Sequence, residues 1–178
     1  PQTPLLTNTT LFRSLSRGGY LDKAESIILV GNPGLGKTHV ATGIALAACR
    51  QGHRVRFYNA AGLVNELIQA QDEHQLSKFM ATALRHRLIV LDELGFIPFS
   101  STGAQLIFQF CSTLYERVFM VVTTNLRFAD WTKMFGDELL TAALLDRITH
   151  KANILVFTGE SYRFRQRMQR EAQDEGHD

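Results

Sequence analysis

The sequence predicts an α/β domain: a five-stranded parallel sheet with helices on both faces. Three observations carry this. Short apolar runs alternate with stretches of helical periodicity, the pattern of successive βαβ units. One run, Leu88-Ile89-Val90-Leu91, has no polar residue, so it belongs to an interior strand covered on both faces. A glycine-rich segment separates the first apolar run from the first helical stretch.

Taken in order, residues 26–30 (Ser26-Ile27-Ile28-Leu29-Val30) form the first strand, and a helix follows over 38–51, closed by Gly52. Residues 54–58 form the second strand. Two helices over 60–69 and 73–85 place Leu63, Leu67, Leu76, Phe79, Met80 and Leu84 at helical spacing. The third strand spans 88–91. A loop over 95–100 leads to a helix over 102–117, and residues 119–123 form the fourth strand. Helices over 128–135 and 138–148 precede the fifth strand at 154–157. A basic helix over 160–170 and a disordered tail over 171–178 complete the chain. Crossovers between the parallel strands are right-handed.

The 178 residues suit one domain with a full core, and 45% hydrophobic with 20% charged residues is ordinary for a globular protein. No apolar run approaches the ~20 residues of a membrane helix, and residues 1–10 lack the layout of a signal peptide. The expected location is the cytoplasm. Cys49 and Cys111 are expected to be two reduced, buried thiols. The six histidines form no metal-ligating pair, so no zinc site is expected. The net charge is only +2, yet Arg147, Lys151, Arg163, Arg165, Arg167 and Arg170 face Glu160 alone over residues 147–170, which suits a phosphate backbone.

Gly31-Asn32-Pro33-Gly34-Leu35-Gly36-Lys37-Thr38 fits the phosphate-loop pattern GxxxxGK[ST] at every fixed position, between a strand and a helix. Glycines let the backbone turn its N–H groups inward as an anion nest, and the helix adds the positive end of its dipole. Lys37 places an ammonium between the β- and γ-phosphates of ATP, and Thr38 offers a hydroxyl to Mg²⁺. The third strand ends in Asp92-Glu93. Asp92 is positioned to hold Mg²⁺, and Glu93 to polarise an attacking water. The second acid points to water rather than a substrate hydroxyl as nucleophile, against a small-molecule kinase. Asn125, after Thr123-Thr124 at the end of the fourth strand, can reach the γ-phosphate or the lytic water.

These motifs, in this order, resemble the AAA+ ATPases. Further segments resemble the IstB family, the helper ATPases of bacterial insertion sequences. They are Leu91-Asp92-Glu93-Leu94-Gly95-Phe96-Ile97-Pro98-Phe99-Ser100, Tyr115-Glu116-Arg117, Trp131 with Phe135-Gly136-Asp137, Leu145-Asp146-Arg147-Ile148 and Gly159-Glu160-Ser161-Tyr162-Arg163. The resemblance implies an ATPase domain over 1–170 with little or no lid, lacking the family's N-terminal helical segment. It implies ATP and Mg²⁺ as ligands, binding to duplex DNA, a partner transposase, and a helical or ring-like homo-oligomer without a membrane. It places Arg147 as an arginine finger acting on a neighbour's nucleotide and Arg163 as a second sensor; His39, next to Thr38 and shared with the family, is expected either to pack the helix or to stand just behind the residues that touch the nucleotide.

The competing reading is a DnaC-type helicase loader that binds single-stranded DNA and a replicative helicase. Duplex contact is expected either from Arg163, Arg165, Arg167 and Arg170 or from the helices between the second and third strands, where Lys78 and Arg85 project.

Overall fold

The computed structural model describes Leu21 and residues 25–162. Their elements are β1 (Ser26–Gly31), α1 (Lys37–Arg50), β2 (Val55–Asn59), α2 (Ala60–Asp72), α3 (Leu76–Ala83), β3 (Leu88–Leu94), α4 (Ser101–Leu114), β4 (Phe119–Thr124), a 3₁₀ turn (Phe128–Asp130), α5 (Trp131–Phe135), α6 (Glu138–Thr149) and β5 (Ala152–Phe157). All neighbouring strands pair in parallel, in the order β2-β3-β4-β1-β5. The five strands and helices on both faces match the expectation. The expected basic helix over 160–170 lies outside the described residues from 163 on, with Glu160 and Ser161 not helical and a helix starting at Tyr162; the tail over 171–178 also lies outside them.

Strand alternation divides the interior into two cores. Ile27, Leu29, Leu88, Val90, Phe119 and Val121 face α1, whose buried stripe is Ala41, Ile44, Ala45 and Ala48. Ile28, Ile89, Leu91, Met120 and Val122 face the opposite layer of α2, α4, α5 and α6, with Leu63, Leu67, Phe110, Trp131 and Leu144 filling it. Because every residue of β4 and the apolar run of β3 is buried, the wholly apolar signal of an interior strand holds. Small residues on α1 let that helix lie close over β1, which draws the loop between them onto the sheet end.

Helix ends follow local chemistry. Gly52 (φ 81°) closes α1 through His53 N–H to Ala48 C=O (3.1 Å) and Gly52 N–H to Cys49 C=O (2.9 Å), the paired bonds of a Schellman ending. The Asn59, Ser100 and Asp137 side chains cap the N-termini of α2, α4 and α6.

Three expectations are corrected. The helix after Ser100 ends at Leu114 rather than 117, because Tyr115 turns extended (ψ 129°) and Glu116 is left-handed (φ 56°). The stretch 128–135 splits into a 3₁₀ turn and the short α5. Cys49 is exposed: it follows Ala48, so its position on the helix is rotated away from the α1 stripe. Cys111 is buried as expected, and burial pushes its thiol up to about 12.

Candidate functional site

The site lies at the carboxyl ends of β1, β3 and β4, where open α/β sheets bind ligands. A cavity of about 1030 Å³ opens there, lined by residues 33–39 and 123–125 with Glu93, Phe96 and Tyr162. That volume is at the top of the range for small-molecule pockets.

The loop between β1 and α1 takes its shape from glycine. Gly34 (φ 82°) and Gly36 (φ 89°) are left-handed, and a Cβ on Gly34 would collide with Ser161 Oγ. At Gly31 a Cβ would come within 2.5 Å of the Phe157 carbonyl oxygen, so the end of β1 lies hard against the end of β5. Tyr162 N–H donates to Gly34 C=O (3.1 Å), bringing the segment after β5 over the loop. Lys37, 8% exposed, donates from Nζ to Gly31 C=O (2.6 Å) and Asn32 C=O (2.8 Å). Its ammonium is thus held inside the loop, at the N-terminus of α1. Pro33, Gly34, Leu35, Gly36, Lys37, Thr38 and His39 all line the cavity. His39 is exposed and lines the cavity, which fits the position beside the nucleotide-contacting residues rather than packing in the core.

Three side chains, from Thr38, Thr123 and Asn59, converge on Asp92 and Glu93 at the end of β3. Thr38 Oγ1 donates to Asp92 Oδ1 (3.0 Å), and Thr123 Oγ1 donates to the same oxygen (2.6 Å). Thr123 Oγ1 also accepts from Glu93 N–H (2.9 Å). Glu93 is left-handed (φ 60°), and the pairing of β3 with β4 shifts register between Leu91 and Leu94. This irregularity turns the Glu93 side chain outward while Asp92 and Leu94 stay buried, a re-aiming typical of bulges beside functional sites. From β2, Asn59 Nδ2 donates to Glu93 Oε2 (2.9 Å).

Asn125 lines the cavity, and its enclosed Oδ1 has no hydrogen-bond partner among the described residues. Arg147 is not at the cavity. It sits in the last turn of α6, its guanidinium 4.9 Å from the Phe108 ring centroid and donating to Ala143 C=O (3.1 Å). Arg163 lies outside the described residues, as do Arg165, Arg167 and Arg170. Lys78 and Arg85 are exposed on and just after α3.

Chemically, the arrangement offers an anion nest with a buried ammonium, two hard oxygen donors from Thr38 and Asp92, and a carboxylate on Glu93 facing the same space. No cluster of three or more His, Cys, Asp or Glu side chains able to hold a metal occurs among the described residues. Two oxygens beside a phosphate nest instead suit Mg²⁺, which binds through one or two protein oxygens and substrate phosphates. Asn59 and Thr123 were not singled out from sequence. Asn59 had a readable signal, a capping residue at the carboxyl end of a strand, yet its register opposite Asp92 needs the sheet order.

Comparison with known proteins agrees with the geometry. The model of the family described as IstB-like ATP binding protein matches residues 7–170. The ATP-binding protein of insertion sequence IS21 from Pseudomonas aeruginosa is 37% identical over 155 residues, 87% of this chain and 58% of the relative. That of insertion sequence IS5376 from Geobacillus stearothermophilus is 35% identical over 162 residues, 90% of this chain and 64% of the relative. The chain therefore spans about three fifths of the length of these curated relatives. The crystal structure of the DnaC helicase loader superposes with a TM-score of 0.68 at 24% identity, covering 89% of this chain and 93% of that one. That likeness concerns the fold alone.

Proposed function

Since this chain belongs to the family of IstB-like ATP binding proteins, we propose that residues 1–170 are the ATPase domain of a transposition helper. In this reading the protein hydrolyses ATP, assembles on duplex DNA while ATP is bound, and recruits or activates a partner transposase. The observation that carries the reading is the convergence of Thr38 and Thr123 on one oxygen of Asp92, with Glu93 adjoining the same cavity.

The roles follow from the chemistry of each group. Backbone N–H groups over residues 31–38 cradle the phosphates, and Lys37 neutralises charge that builds between the β- and γ-phosphates. Thr38 and Asp92 would hold Mg²⁺, which when bound offsets phosphate charge. Thr123 keeps Asp92 turned toward Thr38. Glu93 draws a proton from water, and the Asn125 amide contacts that water or the γ-phosphate. Arg147 is at the far end of α6, close to the start of β5. The six residues of β5 span roughly 20 Å at the rise of an extended strand, so Arg147 does not reach its own chain's nucleotide. It serves the nucleotide of a neighbouring copy in a helical or ring-like assembly, and Arg163 remains the proposed second sensor. No described helix is long and apolar enough to cross a membrane, in keeping with a cytoplasmic role.

The test uses full-length protein. Glu93→Gln is expected to bind ATP, hydrolyse it very slowly and prolong the assembly on duplex DNA. Normal turnover in this variant would remove Glu93 from the mechanism. ATP-dependent preference for duplex supports the helper, whereas a strong preference for single strands would move the reading to a helicase loader.

A further inference from the structure

The end of the sheet opposite the cavity, at the amino ends of β4 and β5, carries an organised basic cluster. The last turns of α4 and α6 end side by side there, tied by three contacts. Arg147 lies over Phe108 at 4.9 Å. The Tyr115 hydroxyl shares a hydrogen bond with His150 Nδ1 at 2.6 Å. Lys151 Nζ donates to Glu116 Oε1 at 2.7 Å.

Glu116 (φ 56°) and Lys151 (φ 58°) are two of only four non-glycine residues with positive φ among the described residues, and a third is Glu93. Each follows the cap of its helix, a place where glycine is the usual residue. Here two charged residues accept the left-handed conformation and pair with each other. Backbone strain of this kind concentrates where a function holds it in place. The ion pair sets the ends of the two helices in register.

Arg117 stands beside this clasp. It is exposed, and among the described residues its guanidinium has neither a hydrogen bond nor an ion pair, although its backbone is fixed by Arg117 N–H to Leu114 C=O (3.0 Å). It lies two residues before β4, while Arg147 lies five before β5, and β1 separates those strands. Two strand spacings put the starts of those strands about 10 Å apart, and the Lys151–Glu116 bond holds together the segments that precede them. Arg117 follows Glu116 and Arg147 precedes Lys151 by four residues, so both long side chains start from the same clasped end and can meet on one polyphosphate. The only acid pointing the other way on the α6 end is exposed Asp146, a residue earlier and about 100° around the helix.

We infer that Arg117 is a second cation supplied in trans: with Arg147 it contacts the triphosphate held in a neighbouring copy's cavity, while the Glu116–Lys151 and Tyr115–His150 pairs hold the two arginines in register. This rests on the shared-site reading of Arg147. The experiment uses full-length protein with ATP and duplex DNA. Arg117→Ala is expected to bind a labelled ATP analogue normally, melt as wild type does, and lose about 10²-fold in turnover, the scale for one lost transition-state donor. Mixing it with Lys37→Ala is expected to restore activity, because the Lys37→Ala subunit presents an intact arginine pair to the intact phosphate loop of the other. Arg117→Lys is expected to retain part of the rate. Wild-type turnover in Arg117→Ala beside a slow Arg147→Ala overturns this inference alone. A slow Arg117→Ala that mixing fails to rescue also overturns it. Wild-type turnover in Arg147→Ala overturns the shared site and this inference with it.

Discussion

Asn59 holds Glu93. Its Nδ2 donates to Glu93 Oε2 at 2.9 Å while its Oδ1 accepts from the N–H groups of Ala61 (3.1 Å) and Gly62 (3.4 Å), so one amide both caps α2 and orients the candidate base. The two tasks separate by substitution. Asn59→Ser keeps a capping oxygen and loses the tether, so it is expected to melt near wild type and turn over roughly 10-fold more slowly through lost orientation. Asn59→Ala loses both, adding a destabilisation of about 1 kcal/mol. Full turnover in Asn59→Ser would show that the bond has no part in hydrolysis.

Thr123 is buried between Asp92 and Glu93, donating to one and accepting from the backbone of the other. Thr123→Val keeps the shape and removes both bonds. A buried carboxylate oxygen then loses a donor and Glu93 N–H loses its acceptor, at a cost of about 1–3 kcal/mol in stability. Turnover is expected to fall as well, and Thr123→Ser to restore both. Chemical denaturation beside steady-state ATPase assays would separate these effects. A valine variant as stable and active as wild type contradicts this placement.

ATP is expected to raise the melting temperature of the wild-type protein, by about 2.7 kcal/mol of added stability at a hundredfold excess over Kd. Lys37→Ala is expected to show no such rise. The substitution removes the ammonium held by Gly31 C=O and Asn32 C=O, leaving the apolar core untouched. An equal shift in the variant would place nucleotide binding elsewhere.

The two thiols are expected to behave differently. Cys49 is exposed, while Cys111 is buried and its thiol is held up to about 12 by loss of solvent. Because the thiolate is the reactive form, Cys111 stays inert through neutral and mildly alkaline pH in the folded state. Native labelling at pH 8 followed by mass spectrometry is expected to modify Cys49 alone, and Cys111 only after denaturation. Modification of Cys111 in the native protein would mean that the α4 core opens readily.

Gly34→Ala is expected to weaken nucleotide binding more than it lowers stability. The added methyl collides with Ser161 Oγ, and the left-handed backbone (φ 82°) disfavours any side chain. The strain falls on the loop and the segment after β5, not on either core. Calorimetric titration with an ATP analogue checks this, and unchanged affinity would refute it.

The site is legible in the sequence where its parts are local. A glycine-rich turn between a strand and a helix has one conformation that works, and Asp92-Glu93 directly ends an apolar strand, so residues 31–38 and those two acids could be found by spacing. The uniform burial of β3 and β4 follows from runs with no polar interruption. The end of α4 is not legible in the sequence, because Glu116 takes the left-handed ending without the glycine that usually signals it. The exposure of Cys49 is not legible either, because one step along a helix turns a position by about 100° and the width of the buried stripe depends on what covers it.

Partnerships across the sheet were decided by tertiary structure alone. Asn59 meets Glu93 across 34 residues, Thr123 meets Asp92 across 31, and Glu116 meets Lys151 across 35. Each depends on strand order, which puts β2 and β4 on either side of β3 and lets α4 and α6 end together. Periodicity reports which face of an element is buried, but not which element covers it. The residues that hold phosphate can therefore be read along the chain, whereas those that aim Asp92, Glu93 and the arginines at the amino ends of β4 and β5 emerge only when distant segments are packed side by side.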